Sequence, residues 1–82
     1  MQRPVIHLNG TSRAELVRQR LAIVQAYDSL LDVLARNSPN QRDYYPAGEA
    51  AWRAARDEHA AEYRRLREAR DEHMKLAEEI AP

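Results

Sequence analysis

The chain has 82 residues, no cysteine, and thirteen basic side chains balanced by thirteen acidic ones for a formal net charge of +0. That length allows one small domain with a modest core, the missing cysteines exclude disulfide staples, and the balanced charge excludes a global field drawing the protein to DNA or an anionic membrane. No apolar run approaches a membrane span and no hydrophobic signal core opens the sequence, so the expectation is a soluble cytoplasmic protein.

Val5 to Leu8 is a short β-prone stretch, too brief to be stable without a partner, and Asn9-Gly10 is a turn signal. Together, residues 1–11 read as an extended arm and turn. Ser12-Arg13-Ala14-Glu15 fits a capping box, in which the serine hydroxyl accepts from the Glu15 amide and the Glu15 carboxylate reaches back. A first helix is expected over 12–36. Its apolar residues (Leu16, Val17, Leu21, Ile23, Val24, Tyr27, Leu30, Leu31, Leu34) cover about half of the helical circumference, more than the roughly 100° that one partner needs.

Asn37-Ser38-Pro39-Asn40 stops this helix, because proline disfavours the α conformation in the residue before it. The connector is expected over 37–46. Pro46 suits the first turn of a second helix, where its missing N–H costs nothing, and that helix is expected over 47–80.

The pentapeptide Ala-Arg-Asp-Glu-His occurs at Ala55–His59 and again at Ala69–His73, 14 residues apart. Two heptads bring both copies back to nearly one face of a continuous helix. The best seam runs Trp52, Arg56, His59, Tyr63, Leu66, Arg70, His73, Ala77, Ile80, so both histidines interrupt an apolar line. Charged pairs four apart on the outer face, such as Glu49 with Arg53, add only tenths of a kcal/mol each. Two long helices joined by a compact loop predict an all-α antiparallel two-helix hairpin. The small core and wide apolar arc further predict a homo-oligomeric, coiled-coil-like bundle.

His59 and His73 stand about 21 Å apart on one helix, and neither has a histidine four residues on, so no metal site is expected. No nucleophile–base–orienter set and no phosphate-binding glycine loop can be assembled, so neither enzymatic activity nor a cofactor is expected. Histidines that set register, or donate to a carbonyl at an interface, are the simpler reading.

Two non-helical segments carry more recognition chemistry. Asn9, Thr11 and Ser12 offer amide and hydroxyl groups at a helix N-terminus, whose dipole favours an anion. Arg42, Tyr44 and Tyr45 combine a guanidinium for phosphate with aromatic faces for a base. These segments fall at opposite ends of a hairpin, about 36 Å apart. A shared ligand site therefore needs antiparallel neighbours in an oligomer, with Arg20, Arg56 and His59 lining it. The simpler alternatives are that Ser12 only caps, the tyrosines pack the hairpin tip and Arg20 snorkels.

Ile6-His7-Leu8-Asn9-Gly10-Thr11-Ser12 and Asn40-Gln41-Arg42-Asp43-Tyr44-Tyr45-Pro46, followed by an alanine-rich helix with Glu58-His59, resemble a group of short uncharacterised proteins encoded by bacteriophages and prophages. The resemblance spans most of the chain and assigns no site residue. Small helical phage proteins of this size include oligomeric sponges for cyclic-nucleotide or ADP-ribose-type immune signals of the bacterial host. By that analogy the expected ligand is a small phosphorylated nucleotide bound between subunits in the host cytoplasm. The alternative is a helical adaptor or inhibitor that grips a host protein through its apolar face.

Overall fold

In the computed structural model, which describes residues 1–82, the chain forms α1 (Arg13–Arg36), a 3₁₀ helix (Gln41–Ala47) and α2 (Glu49–Ile80). The two long helices pack antiparallel, and the molecule measures 62 × 19 × 17 Å. There is no strand. Val5 to Leu8 remain exposed because no second extended segment lies alongside to satisfy their backbone groups.

Ser12 caps α1 with its hydroxyl accepting from the Glu15 N–H at 3.2 Å. The reciprocal half of the capping box is absent, since the Glu15 carboxylate instead accepts from Arg18 one turn on, with the Arg18 Nε at 3.0 Å. At the other end, the Asn37 N–H donates to the Val33 and Leu34 carbonyls, and its side-chain amide donates to the Val33 carbonyl at 2.7 Å. Two donors therefore make three hydrogen bonds to carbonyls that a helix end otherwise leaves open.

The connector differs from the expected loop. Asn40 accepts from the Arg42 N–H at 3.0 Å and starts the 3₁₀ helix, which contains Pro46. Pro46 is thus not in the first turn of α2. The break is set by Gly48 at φ 94°, ψ 169°, a region essentially closed to residues with a Cβ. It turns the chain between the two helices and delays the start of α2 from the expected Ala47 to Glu49.

Register between the helices is read from their cross-contacts. The end of α1 lies beside His59, whose Nε2 is 2.8 Å from the Leu34 carbonyl. Further along, Arg70 bonds Asp28 at 3.0 Å and the His73 ring stacks tilted on Tyr27 at 5.7 Å. The first turns of α2 consequently run past the end of α1 and are flanked by the 3₁₀ helix, with Tyr44 and Trp52 ring centroids 6.1 Å apart.

At the open end, Gln2, Arg3 and Pro4 line a groove with Leu16, Arg20, Leu76 and Ile80, and Arg3 pairs with Glu79 at 3.1 Å. The core consists of Val24, Leu31, Leu76, Ala77 and Ile80. Each large member contributes about 1.5–3 kcal/mol by burial. That is little against a backbone ordering cost of roughly 1–2 kcal/mol per residue.

Candidate functional site

The two recognition segments lie at opposite ends of the hairpin. Asn9, Thr11 and Ser12 are exposed at the open end, on a turn closed by the Gly10 N–H donating to the His7 carbonyl at 3.1 Å. The Ser12 hydroxyl is engaged as the α1 cap. Arg42, Tyr44 and Tyr45 sit on the 3₁₀ helix at the tip. Here Tyr44 is half-buried against Trp52, whereas Tyr45 is 68 % exposed. The Arg42 guanidinium reaches the Asn40 side-chain oxygen at 3.4 Å. A shallow recess between Tyr44, Tyr45, Gly48 and Trp52 forms the aromatic part of the tip.

The remaining candidates divide the same way. Arg20 lines the groove under the N-terminal arm at the open end. His59 lies toward the tip, where its Nε2–H donates to Leu34, leaving Nδ1 as an acceptor in the neutral ring. Arg56 pairs loosely with its neighbour Asp57 at 3.4 Å. One chain does not bring Arg20 and His59 together, and His59 serves the helix interface directly. The second repeat histidine packs on Tyr27 and keeps a buried Nδ1 with no hydrogen-bond partner. No three histidine or acidic side chains converge as a metal-binding set.

A further feature escaped the sequence reading. Arg70 bridges the helices, bonded to Asp28 at 3.0 Å and to Asp71 at 3.1 Å. The Asp28 hydrogen bond first, then that of Asp71, raises the guanidinium pKa above its ordinary value. Beside this pair an open groove of about 380 Å³ is lined by Asp28, Asp32, Tyr63, Arg67 and Arg70 among others. The signal was present in the sequence: Arg70 lies in the α2 seam, and an aspartate borders the apolar arc of α1. The two signs of charge cancel here, so the groove presents no net charge to a ligand.

By fold the molecule is an all-α antiparallel helical hairpin. No helix is long and apolar enough to cross a membrane. Comparison with protein-family models, curated proteins and solved structures finds no match.

Proposed function

We propose that this is a non-enzymatic, phage-type protein that assembles as an oligomer of hairpins and sequesters a small phosphorylated nucleotide signal, of cyclic-oligonucleotide or ADP-ribose type, to counter host defence. The observation that carries this reading is the exposure of two complementary half-sites at opposite ends of one rod. Asn9 and Thr11 offer an amide and a hydroxyl at the start of α1, while Arg42 and Tyr45 offer a guanidinium and an open aromatic face at the tip. Phosphate suits the first and the guanidinium of the second, and a base suits the aromatic face. Neither half is a site by itself, and antiparallel neighbours supply both to one ligand. Titration calorimetry against cyclic di- and trinucleotides and cyclic ADP-ribose isomers tests it. Heat with one member is expected, lost in Arg42→Ala and Tyr45→Ala variants that keep their helicity and mass; no heat with any member refutes it.

A second reading, a helical adaptor or inhibitor of a host protein, is favoured by one observation. Leu21, Leu30 and Val33 of α1 remain 42 %, 46 % and 48 % exposed. A single stoichiometric protein partner, with every nucleotide inert, would favour it.

A further inference from the structure

Apart from Leu21, which is exposed outside both, the large apolar residues of α1 fall into two seams. Val17, Arg20, Val24, Tyr27, Leu31 and Leu34 alternate by three and four; Val24 and Leu31 are buried and Tyr27 meets His73 on α2. One residue earlier runs a second series with the same spacing: Leu16, Gln19, Ile23, Ala26, Leu30, Val33. A one-residue offset rotates a seam by about 100°, close to the angle between a helix's two neighbours in a four-helix bundle. Within one chain the Leu16 end of this second series is partly covered by the N-terminal arm with Leu76 and Ile80 of α2, Ile23 is partly covered, and Leu30 and Val33 are nearly half exposed.

We infer that α1 pairs with α1 of a second copy through this seam, antiparallel, with Leu16 of one chain opposite Val33 of the other. The inference deepens the self-association in the function proposed above and rests on that part of it, independently of the ligand.

Three observations select a second copy as the occupant. The first is area. A compact 9.5 kDa protein exposes roughly 5,000 Å², whereas this chain exposes 6231 Å². The excess, about 1,200 Å², is spread over the whole rod and leaves room for an interface of standard size, roughly 800 Å² per partner.

The second is that the seam is self-complementary. Antiparallel pairing about a two-fold axis layers Leu16 on the partner's Val33, Gln19 on the partner's Leu30, and Ile23 on the partner's Ala26. The small Ala26 gives Ile23 room at the centre, where two backbones must approach.

The third is charge. On one flank of this seam the series reads Glu15, Ala22, Ser29, Arg36, in which Glu15 also pairs with Arg18 and Ser29 borders the Asp28–Arg70 groove. In an antiparallel coil, like flanking positions face one another. Glu15 then meets the partner's Arg36 at both ends of the interface, with Ala22 beside the partner's Ser29 between them. Opposite signs fix direction and partner more than affinity. A parallel pairing leaves Arg36 without a facing carboxylate.

The same register sets Ser12 level with the partner's Asn37. One copy's Asn9–Ser12 turn is thereby brought beside the other's connector, where Arg42 and Tyr45 begin the second half-site.

The chain has no cysteine of its own, which makes thiol cross-linking clean. Glu15→Cys, Arg36→Cys and the double variant are treated with a short bismaleimide at micromolar concentration. Positions 15 and 36 lie about 31 Å apart along one helix, so the reagent cannot join them within a chain. The double variant is expected to give a covalent dimer and each single variant none. A double variant that stays uncross-linked, or single variants that link equally well, overturns the antiparallel seam. As a second arm, Leu30→Arg changes an exposed side chain. It should keep the helical circular dichroism while weakening dimerisation at least tenfold by sedimentation. Unchanged mass, or a wild-type chain of 9.5 kDa at these concentrations, overturns the inference. Calorimetry on the cross-linked dimer separates the two proposals: the seam with no nucleotide heat retains this interface and removes the ligand, and nucleotide binding to a single chain does the reverse.

Discussion

At the residue scale the two copies of Ala-Arg-Asp-Glu-His do different work despite their identity. His59 donates to the Leu34 carbonyl, whereas His73 packs on Tyr27 with Nδ1 buried and unpartnered. Replacing each by phenylalanine should therefore separate them. His59→Phe removes one of two donors to the Leu34 carbonyl, leaving it only the shared Asn37 N–H at 3.2 Å, a loss of about 1 kcal/mol. His73→Phe removes a buried polar atom that has no partner and should be neutral or stabilising. Urea unfolding of the two variants at one protein concentration checks the difference. Ser12→Ala should cost about 1 kcal/mol through the α1 cap. The Asp28–Arg70 pair is only partly covered, with side-chain exposures of 53 % and 25 %, so Asp28→Asn should lower stability only slightly, and by less at high salt.

At the element scale, the helices were legible in the sequence and their junction was not. Period 3.6, the Ser12 cap signal and the Pro39 stop all agree on α1, and the 14-residue repeat requires a continuous α2. The 3₁₀ helix was hidden because its decisive contacts are with α2: Tyr44 finds Trp52 only once the chain has turned. Gly48 was likewise silent, since a glycine near a proline can be read as simple punctuation. Its φ of 94° makes it a geometric requirement. Gly48→Ala should destabilise by about 1–3 kcal/mol although an added Cβ meets nothing within 4 Å. Gly10→Ala tests the opposite case. There the Cβ would lie 2.6 Å from the His7 Nε2, at the movable end of an exposed side chain. Its cost should be smaller, and thermal melts of the two variants rank them.

At the scale of the whole molecule, the candidate residues were legible by type and their separation to opposite ends by helix length, while their side-chain contacts were not. Arg42, Tyr45, Asn9 and Thr11 announce themselves by type, and the Ser12 cap follows from its capping-box spacing, whereas the specific partners Trp52 of Tyr44 and Leu34 of His59 follow only from the register of the folded hairpin. The width of the α1 arc did signal a second neighbour, because one helix cannot cover half a circumference. A rod with an 18.4 Å radius of gyration, against roughly 12 Å for a compact chain of this size, has little interior to hold it together. Its melting temperature should consequently rise with protein concentration, as mass action requires of a fold coupled to assembly. Calorimetric scans over a hundredfold concentration range check this, and a constant midpoint would mean the single hairpin is stable alone.

The register also orders folding. Contact at Leu34 and His59 closes a separation of 25 residues, and contact at Asp28 and Arg70 one of 42. Entropy thus favours starting at the tip and zipping outward. Yet the tip contacts are largely polar or aromatic, while Leu76, Ala77 and Ile80 are buried far from it. The segments cheapest to bring together are not those with the most to gain, so a half-zipped chain has spent ordering entropy before reaching its best burial. Such a mismatch penalises partial structures and leaves the two long helices to form and melt as one cooperative unit.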